Sequence, residues 1–257
     1  TWVPKLTIIR VGENPDDISY EKGATKKLTS FGLEVESKVF PGDISDEAFK
    51  REFAAINADA SVDGILMLRP LPKQINEQDI EKMIDPAKDL DGISPVNIAK
   101  VFSGDTSGFA PCTAEAVVCM LKMNDIALSG KRVAVVGRSM VVGRPLSMLL
   151  LHENATVTIC HSRTANLPEV CREADILTAC VGKAAMINHT YVKKDAVVID
   201  VGINVDENGK TLRRCGFCRS GRNCFGGNPG SGRCRRRDDG GSGTASGARS
   251  TDETGKK

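Results

Sequence analysis

Short apolar, β-branched runs alternate with stretches in which apolar residues recur every three or four positions, and this alternation organises the chain from Lys5 to Val201. In the first half, KLTIIRV (Lys5–Val11), LEVESKVF (Leu33–Phe40) and VDGILML (Val62–Leu68) have strand character. Between them, Ser19–Phe31, closed by Gly32, and Ser45–Asn57, with Asp46 and Glu47 in its first turn, have helical spacing. GENPDD (Gly12–Asp17) reads as a loop. The second half repeats the scheme. A helix over Ala114–Met123 precedes the strand Val133–Val136, and a second helix opens at Pro145 with Leu146, Leu149 and Leu150 in phase. Three more strand-like runs follow: Ala155–Cys160, Ala174–Val181 and Asp195–Val201. Strands that alternate with helices predict parallel sheets, hence an α/β fold of two domains, residues 1–112 and 113–212, with a cleft between them.

Within the second domain, KRVAVVGRSMVVGRP (Lys131–Pro145) carries the chemistry. A strand that ends at Gly137 and runs through Gly143 into a helix N-terminus offers backbone N–H groups and the positive end of a helix dipole, which is a phosphate site. Ser139 stands where the common G-x-G-x-x-G fingerprint has its middle glycine, so the spacing alone is weak, and the strands that follow supply the context. The reading is a Rossmann-like dinucleotide-binding domain; the alternative is an α/β domain whose glycines only serve tight turns. The second strand runs out into Cys160-His161-Ser162-Arg163-Thr164, with one arginine and no acid. An acid there would bind a ribose hydroxyl, whereas an arginine suits a 2′-phosphate, so the expected coenzyme is NADP. Arg138 and Ser139 are further donors, and Arg163 has the alternative of a solvated loop cation.

Composition narrows this picture without redirecting it. A chain of 257 residues, 40% hydrophobic, can bury one large or two modest cores. A net charge of +2 gives no sign of a nucleic-acid partner, and no apolar run reaches the roughly 18 residues of a membrane span. With no signal peptide expected ahead of Thr1, the protein is expected to be cytoplasmic; a start at Thr just before a strand reads as the loss of an N-terminal helix. Cys112, Cys119, Cys160, Cys171 and Cys180 lie in apolar or helical segments and read as buried free thiols of a reducing compartment, with no metal site among them.

The cleft is expected where strand ends meet polar groups and glycine turns: Ser19-Tyr20, Pro70-Leu71-Pro72, Lys88-Asp89-Leu90-Asp91-Gly92 and Phe109–Thr113. Taken in series, GENPDDxSY, GILMLRPLP, DPAKDLDGISPVN, FAPCTAEAV, LSGKRVAVVGRSMVVGRP and VVIDVGIN resemble the methylenetetrahydrofolate dehydrogenase/methenyltetrahydrofolate cyclohydrolase family over about residues 4–212. The resemblance implies tetrahydrofolate in the cleft, a nicotinamide delivered from the second domain, a homodimer, and neither nucleic acid nor membrane as partner. It implies catalytic roles for Tyr20, stacked on the folate, and Asp91, anchoring the pterin, with Leu68 and Pro70 as further substrate contacts. Asp91 has the alternative of an Asp-Gly turn residue with a capping role. For the coenzyme the resemblance implies Gly137, Arg138, Ser139, Val142, Gly143, Arg144, Pro145, His161, Ser162, Arg163, Val181, Gly182, Gly202 and Ile203.

Two positions depart from the family pattern. The family's lysine, four residues after the tyrosine, is Ala24 here, and the glutamine that pairs with it is Leu68. Lys22 and Lys26, two and six residues after Tyr20, point about 200° and 240° around a helix from it, so neither substitutes without rearrangement. Losing both members together is coherent, because a lone lysine beside Leu68 would be a partly buried charge without a partner. Hydride transfer needs aligned placement, whereas hydrolysis of the methenyl bridge needs a positioned proton-transfer group worth roughly 10²–10⁴ in rate. The expectation is a dehydrogenase whose cyclohydrolase activity is weak, absent or carried by another group. A non-catalytic NADP-binding remnant and a different NADP dehydrogenase, such as a shikimate-type enzyme, are the alternatives.

Residues 213–257 contain no Val, Ile, Leu or Met and abound in Gly, Arg and Ser, so this tail is expected to be disordered. Cys215, Cys218, Cys224 and Cys234 could serve zinc, but lack a second close pair; Arg233, Arg235, Arg236 and Arg237 could serve a nucleic-acid arm. A third reading is a shifted frame. If synonymous codons are chosen as CGG-AGA-TGT-GGA-TTT-TGC for Arg213–Cys218, reading one nucleotide later gives GDVDF, and with AAC-CCC-GGT-TCC-GGG-CGG-TGT-CGG chosen for Asn228–Arg235 it gives TPVPGGV. The resemblance predicts GDVDF and TPVPGGVG next, in that order, and their loss implies a weakened coenzyme site, exposed apolar surface and lower stability.

Overall fold

A computed structural model describes residues 2–183 and 186–201, together with the backbone of 204–205, 211–212 and 224–227. In the first domain the order is β1 (Lys5–Val11), α1 (Pro15–Ser30), β2 (Glu34–Phe40), α2 (Asp46–Ala58), β3 (Gly64–Met67), α3 (Glu77–Met83) and α4 (Pro95–Ser103). The strands form a parallel sheet in the order β2-β1-β3, with Ile8 opposite Ser37 on one side and Leu66 on the other. Ser45 caps α2 by accepting the Ala48 N–H at 3.2 Å, and the helix then lays Phe49, Phe53 and Ile56 onto Ile9, Val11, Ile65 and Met67. Burying side chains of this size stabilises the fold by about 1.5–3 kcal/mol each.

Helix α1 begins earlier than the loop expected over Gly12–Asp17. Asn14 accepts the Asp16 N–H at 3.0 Å, Pro15 fills the first helical position, and Asp16 and Asp17 face the positive helix end. That signal was present in the sequence as Asn-Pro-Asp-Asp. Helices α3 and α4 had no legible period because they are only 7 and 9 residues long; α4 is instead marked by its ends, the Ser94 cap and the left-handed Gly104.

The second domain contains α5 (Cys112–Met123), β4 (Arg132–Val136), α6 (Gly143–His152), β5 (Thr156–Cys160), α7 (Leu167–Arg172), β6 (Ile176–Ala179) and β7 (Val197–Val201). The short β8 (Asn204–Val205) and β9 (Thr211–Leu212) pair antiparallel, and β10 (Cys224–Gly227) follows. Its main sheet is parallel in the order β10-β7-β6-β4-β5, with Leu121, Val133, Val135, Leu146, Leu150 and Ile199 buried in one core. Strand β10 was not foreseen in a tail without aliphatic residues. The free edge of β7 offers a ladder of N–H and C=O groups that an extended segment of almost any composition can satisfy. Residues 213–223 and 228–257 lie outside the described residues, as do the zinc, arginine-arm and shifted-frame readings that rest on them.

The five cysteines outside the tail are thiols rather than disulfides, but only Cys160 and Cys171 are fully buried; Cys112 and Cys119 are exposed, because both fall on the outer positions of α5. The domains meet where α4 crosses α6. His152 Nε2 lies 3.0 Å from the Val101 carbonyl, and a Cβ at Gly104 would stand 2.9 Å from the imidazole. Among the described residues, no helix is long and apolar enough to cross a membrane.

Candidate active-site cleft

From β4 the chain moves to β5 on one side, then returns past β4 to β6 on the other. The carboxyl ends of β4 and β6 therefore flank a topological switch point, the place where an open α/β sheet leaves a crevice. Gly137 follows β4 with φ of 133°, and a Cβ there would lie 2.5 Å from the Cys180 carbonyl oxygen. A Cβ on Gly143 would lie 2.2 Å from the Gly137 carbonyl oxygen. Both positions accept only glycine, and their close approach folds the intervening turn into a cradle. The Arg144 N–H donates to the Ser139 carbonyl at 3.0 Å, and the Val142 N–H to Ser139 Oγ at 3.2 Å. Helix α6 then starts with no side-chain cap and no acid in its first turn, so its N-terminal dipole is not neutralised locally. Pro145 is buried, while Arg138, Ser139 and Arg144 are exposed at the rim.

The loop after β5 is fixed by its own short bonds. His161 N–H donates to Thr164 Oγ1 at 2.9 Å and Arg163 N–H to His161 Nδ1 at 3.1 Å, which leaves the Ser162 and Arg163 side chains exposed. Val181 and Gly182 continue from β6, the first half-buried and the second exposed. Gly202 and Ile203 lie outside the described residues.

Across the cleft, residues 88–90 run beside β3: the Ile65 N–H donates to the Lys88 carbonyl at 2.7 Å, and the Leu90 N–H to the Ile65 carbonyl at 3.3 Å. Asp89 is fully buried and accepts from the Ile93 N–H, the Ser94 N–H and Asn97 Nδ2 at 2.9, 2.8 and 2.9 Å. Asp89 thus takes a local turn-capping role of its own, beside the one expected of Asp91. Gly92 has φ of 60° and abuts the Phe109 carbonyl, at 2.6 Å from a built Cβ, which draws Asp91 against the start of α5. There the Cys112 N–H donates to Asp91 Oδ1 at 3.3 Å, and Arg69 Nη2 stands 3.6 Å from Asp91 Oδ2.

Burial pushes the Asp91 carboxyl above the usual aspartate range, against the opposing pull of Arg69 and the Cys112 N–H. Burial, then the charge of Asp91, raises the Tyr20 phenol; Cys112 is exposed as a residue, but desolvation of its sulfur against the Leu90 carbonyl, then the charge of Asp91, pushes the thiol up to about 11. Tyr20 and Cys112 are thus neutral donors near pH 7, and Cys112 donates its S–H to the Leu90 carbonyl at 3.1 Å. Tyr20 keeps 44% of its surface exposed. One turn further along α1, on the same face, Ala24 is half-buried, while Lys22 and Lys26 are exposed. Leu68 is 8% exposed, its N–H donating to the Ile9 carbonyl at 2.9 Å; Pro70 follows in a cis peptide bond with Arg69 and is exposed.

The residue the sequence reading passed over is Arg69. Its Nη1 lies 3.4 Å from Glu77 and 3.3 Å from Glu81, while Nη2 faces Asp91. An arginine ahead of a Pro-x-Pro turn is visible in the sequence, but no local periodicity links it to carboxylates 8, 12 and 22 positions away. Among the described residues, no group of three or more His, Cys, Asp or Glu is placed to hold a metal ion.

A family model described as the catalytic domain of tetrahydrofolate dehydrogenase/cyclohydrolase matches residues 1–91, and one described as its NAD(P)-binding domain matches residues 111–217. The chain belongs to this family. It is 53% identical over 208 residues to the bifunctional protein FolD of Clostridium kluyveri, covering 81% of this chain and 73% of that one. It is 54% identical over 206 residues to FolD of Clostridioides difficile, with 80% and 72% covered. Among solved structures, the FolD of Campylobacter jejuni superposes with a TM-score of 0.82 at 34% identity, covering 86% of this chain and 78% of that one. The Trypanosoma brucei methylenetetrahydrofolate dehydrogenase-cyclohydrolase, solved with NADP and an inhibitor, gives a TM-score of 0.82 at 30% identity over 88% and 80%.

Proposed function

We propose that this chain oxidises 5,10-methylenetetrahydrofolate with NADP, and that its methenyltetrahydrofolate cyclohydrolase activity is weak. The observation that carries the first part is the Gly137–Gly143 cradle, which a Cβ would fill, set beside a loop with an arginine and no acid. This cradle fits a dinucleotide pyrophosphate: its backbone N–H groups and the uncapped α6 terminus bind anions. When bound, NADP supplies the hydride acceptor. Arg138, Ser139 and Arg144 reach the phosphates from the rim, and His161, Ser162 and Arg163 take the 2′-phosphate. Val142, Pro145, Val181 and Gly182 provide further coenzyme contacts; Gly202 and Ile203, which the family resemblance implies for the coenzyme, lie outside the described residues. Tyr20 stacks on the pterin, Asp91 accepts its ring N–H groups, and Leu68 and Pro70 close the pocket. Hydride transfer asks these groups to orient the substrate and exclude water, and asks little proton movement of them.

Hydrolysis asks more. Ala24 and Leu68 carry no ionisable or hydrogen-bonding side chain, and Tyr20 is held neutral by burial and by Asp91. The family likeness also supports a cytoplasmic homodimer. The names of the relatives support an enzyme, and nothing in them favours the inactive remnant. The NAD(P)-binding family model stops at residue 217, before the Gly- and Arg-rich stretch that fills the remainder, which supports the shifted-frame reading of the tail; a DNA sequence with no insertion or deletion near codons 211–213 overturns it.

Absorbance of NADPH on mixing the purified chain with NADP and 5,10-methylenetetrahydrofolate tests the dehydrogenase. No NADP reduction refutes it. Decay of methenyltetrahydrofolate absorbance tests the second half: hydrolysis at the rate of the dehydrogenase step overturns the assignment of weakness.

A further inference from the structure

The Asp91 carboxylate is held at both oxygens by groups that carry no assigned role. Oδ1 takes the Cys112 N–H at 3.3 Å, and Oδ2 faces the Arg69 guanidinium at 3.6 Å. Arg69 is itself clamped. Its side chain is 12% exposed, its other nitrogen lies between Glu77 and Glu81 at 3.4 and 3.3 Å, and Glu77 is pinned in turn because Glu77 Oε2 accepts the Leu71 N–H at 3.0 Å. The guanidinium therefore cannot swing away to solvent without depriving Glu77 and Glu81, both partly buried, of their shared cation.

We propose that Arg69 is the positioning residue of the folate site: anchored on α3 by Glu77 and Glu81, it orients the Asp91 carboxylate and keeps it ionised as a two-point acceptor. This rests on the folate reading of the cleft. The aminopyrimidinone edge of a reduced pterin presents adjacent ring N–H and amino donors, which match an ionised carboxylate at two points. A protonated carboxyl offers one acceptor fewer and an unwanted donor. Burial favours the protonated form, and the charges facing Asp91 decide the outcome. Asp89 on the same segment opposes ionisation, while Arg69 after β3 and the Cys112 N–H at the start of α5 favour it; the phenol of Tyr20 on α1 and the thiol of Cys112 remain neutral. Glu77 and Glu81 act through Arg69, and burial raises Glu81 as well. Of these groups only Arg69 is a cation. A lysine would supply the charge without the fork that bonds α3 and Asp91 together.

The sign follows. Removing Arg69 raises the Asp91 pKa further, so the acid limb of kcat/KM for methylenetetrahydrofolate moves to higher pH, by about one unit or more for an ion partner at this distance. Arg69→Leu and Arg69→Gln, the latter retaining donors without charge, are compared with Arg69→Lys and the parent as full-length chains. Expected is a rise in KM below pH 7 with kcat little changed in both uncharged variants, and substantial restoration of the limb in Arg69→Lys. Carbon-13 NMR titration of the Asp91 carboxyl, assigned with Asp91→Asn, reads the same quantity without turnover. Its midpoint should rise in Arg69→Leu and Arg69→Gln. An unchanged midpoint in variants with parental circular dichroism overturns the proposal, as does a uniform loss of kcat with no movement of the acid limb. If the midpoint rises but no variant or parent oxidises the folate, the proposed function falls, and with it the folate role of Arg69, while its charge coupling to Asp91 stands.

Discussion

The two sides of the cleft hold their groups by different means. The side proposed for the coenzyme is built from backbone: Gly137 and Gly143 approach so closely that any side chain would collide with a carbonyl oxygen, and the donors are N–H groups fixed by β4 and α6. The side proposed for the folate is built from side chains: Asp91, Arg69, Glu77, Glu81 and Tyr20 come from four different segments and depend on one another's charge. A backbone site changes only when its geometry is broken, whereas a side-chain site can lose one activity and retain another by exchanging single residues. Ala24 and Leu68 fall on the side-chain half.

The comparison breaks most readily at the cradle. Gly143→Ala should weaken NADP binding at least a hundredfold and lower thermal stability, because overpacking costs about 1–3 kcal/mol and the Gly137 carbonyl has nowhere to go. Fluorescence titration with NADPH and a thermal melt check this. Gly130→Ala is the control: it also has positive φ, at 73°, but open space around it, so it should lower stability alone. An unaffected coenzyme affinity in Gly143→Ala would show that the cradle does not bind phosphate.

The side-chain half should be open to gain as well as loss. Ala24→Lys combined with Leu68→Gln is expected to raise methenyltetrahydrofolate hydrolysis by roughly 10² or more, the contribution of one positioned proton-transfer group. Either substitution alone should give much less, since the lysine needs a partner. A double variant no faster than the parent would remove Ala24 and Leu68 as the explanation.

A smaller effect is expected where a side chain decorates the backbone site. Arg163→Ala should cut the preference for NADP over NAD about tenfold, the equivalent of one charge-assisted hydrogen bond near 1.4 kcal/mol, with NAD kinetics unchanged. The ratio of the two kcat/KM values reads it directly.

The smallest effect concerns a charge outside the cleft. The Asp46 carboxyl lies below the usual range because Lys50 bonds it, at 2.6 Å, with help from the Asn76 N–H. A depressed carboxyl contributes stability that is present above its unfolded pKa and is lost as pH falls through the folded value. Asp46→Asn should therefore lower the melting temperature slightly at pH 7, with the difference closing below about pH 4. An equal loss at both pH values would assign the effect to packing.

Much of this was legible in the chain itself. The alternation of β-branched runs with helical spacing specified two parallel sheets, since period and strand composition are local properties. The glycine spacing located the tight turn between β4 and α6, because only glycine tolerates such close backbone approach. The caps of α1 could have been read from Asn14 and Pro15, but α3 and α4 are too short for a period to emerge. What the linear order could not contain is which charges meet. Arg69 joins Glu77, Glu81 and Asp91 only because residues 88–90 lie along β3 and Gly92 turns the chain back onto Phe109. Likewise β10 finds β7 because a sheet edge was open, not because its residues favour a strand. Local pattern determined the elements and the tight glycine turn; the balance of buried charge around Asp91 was decided by tertiary structure, because Coulomb interactions depend on distance in space and on burial, and neither is written along the sequence.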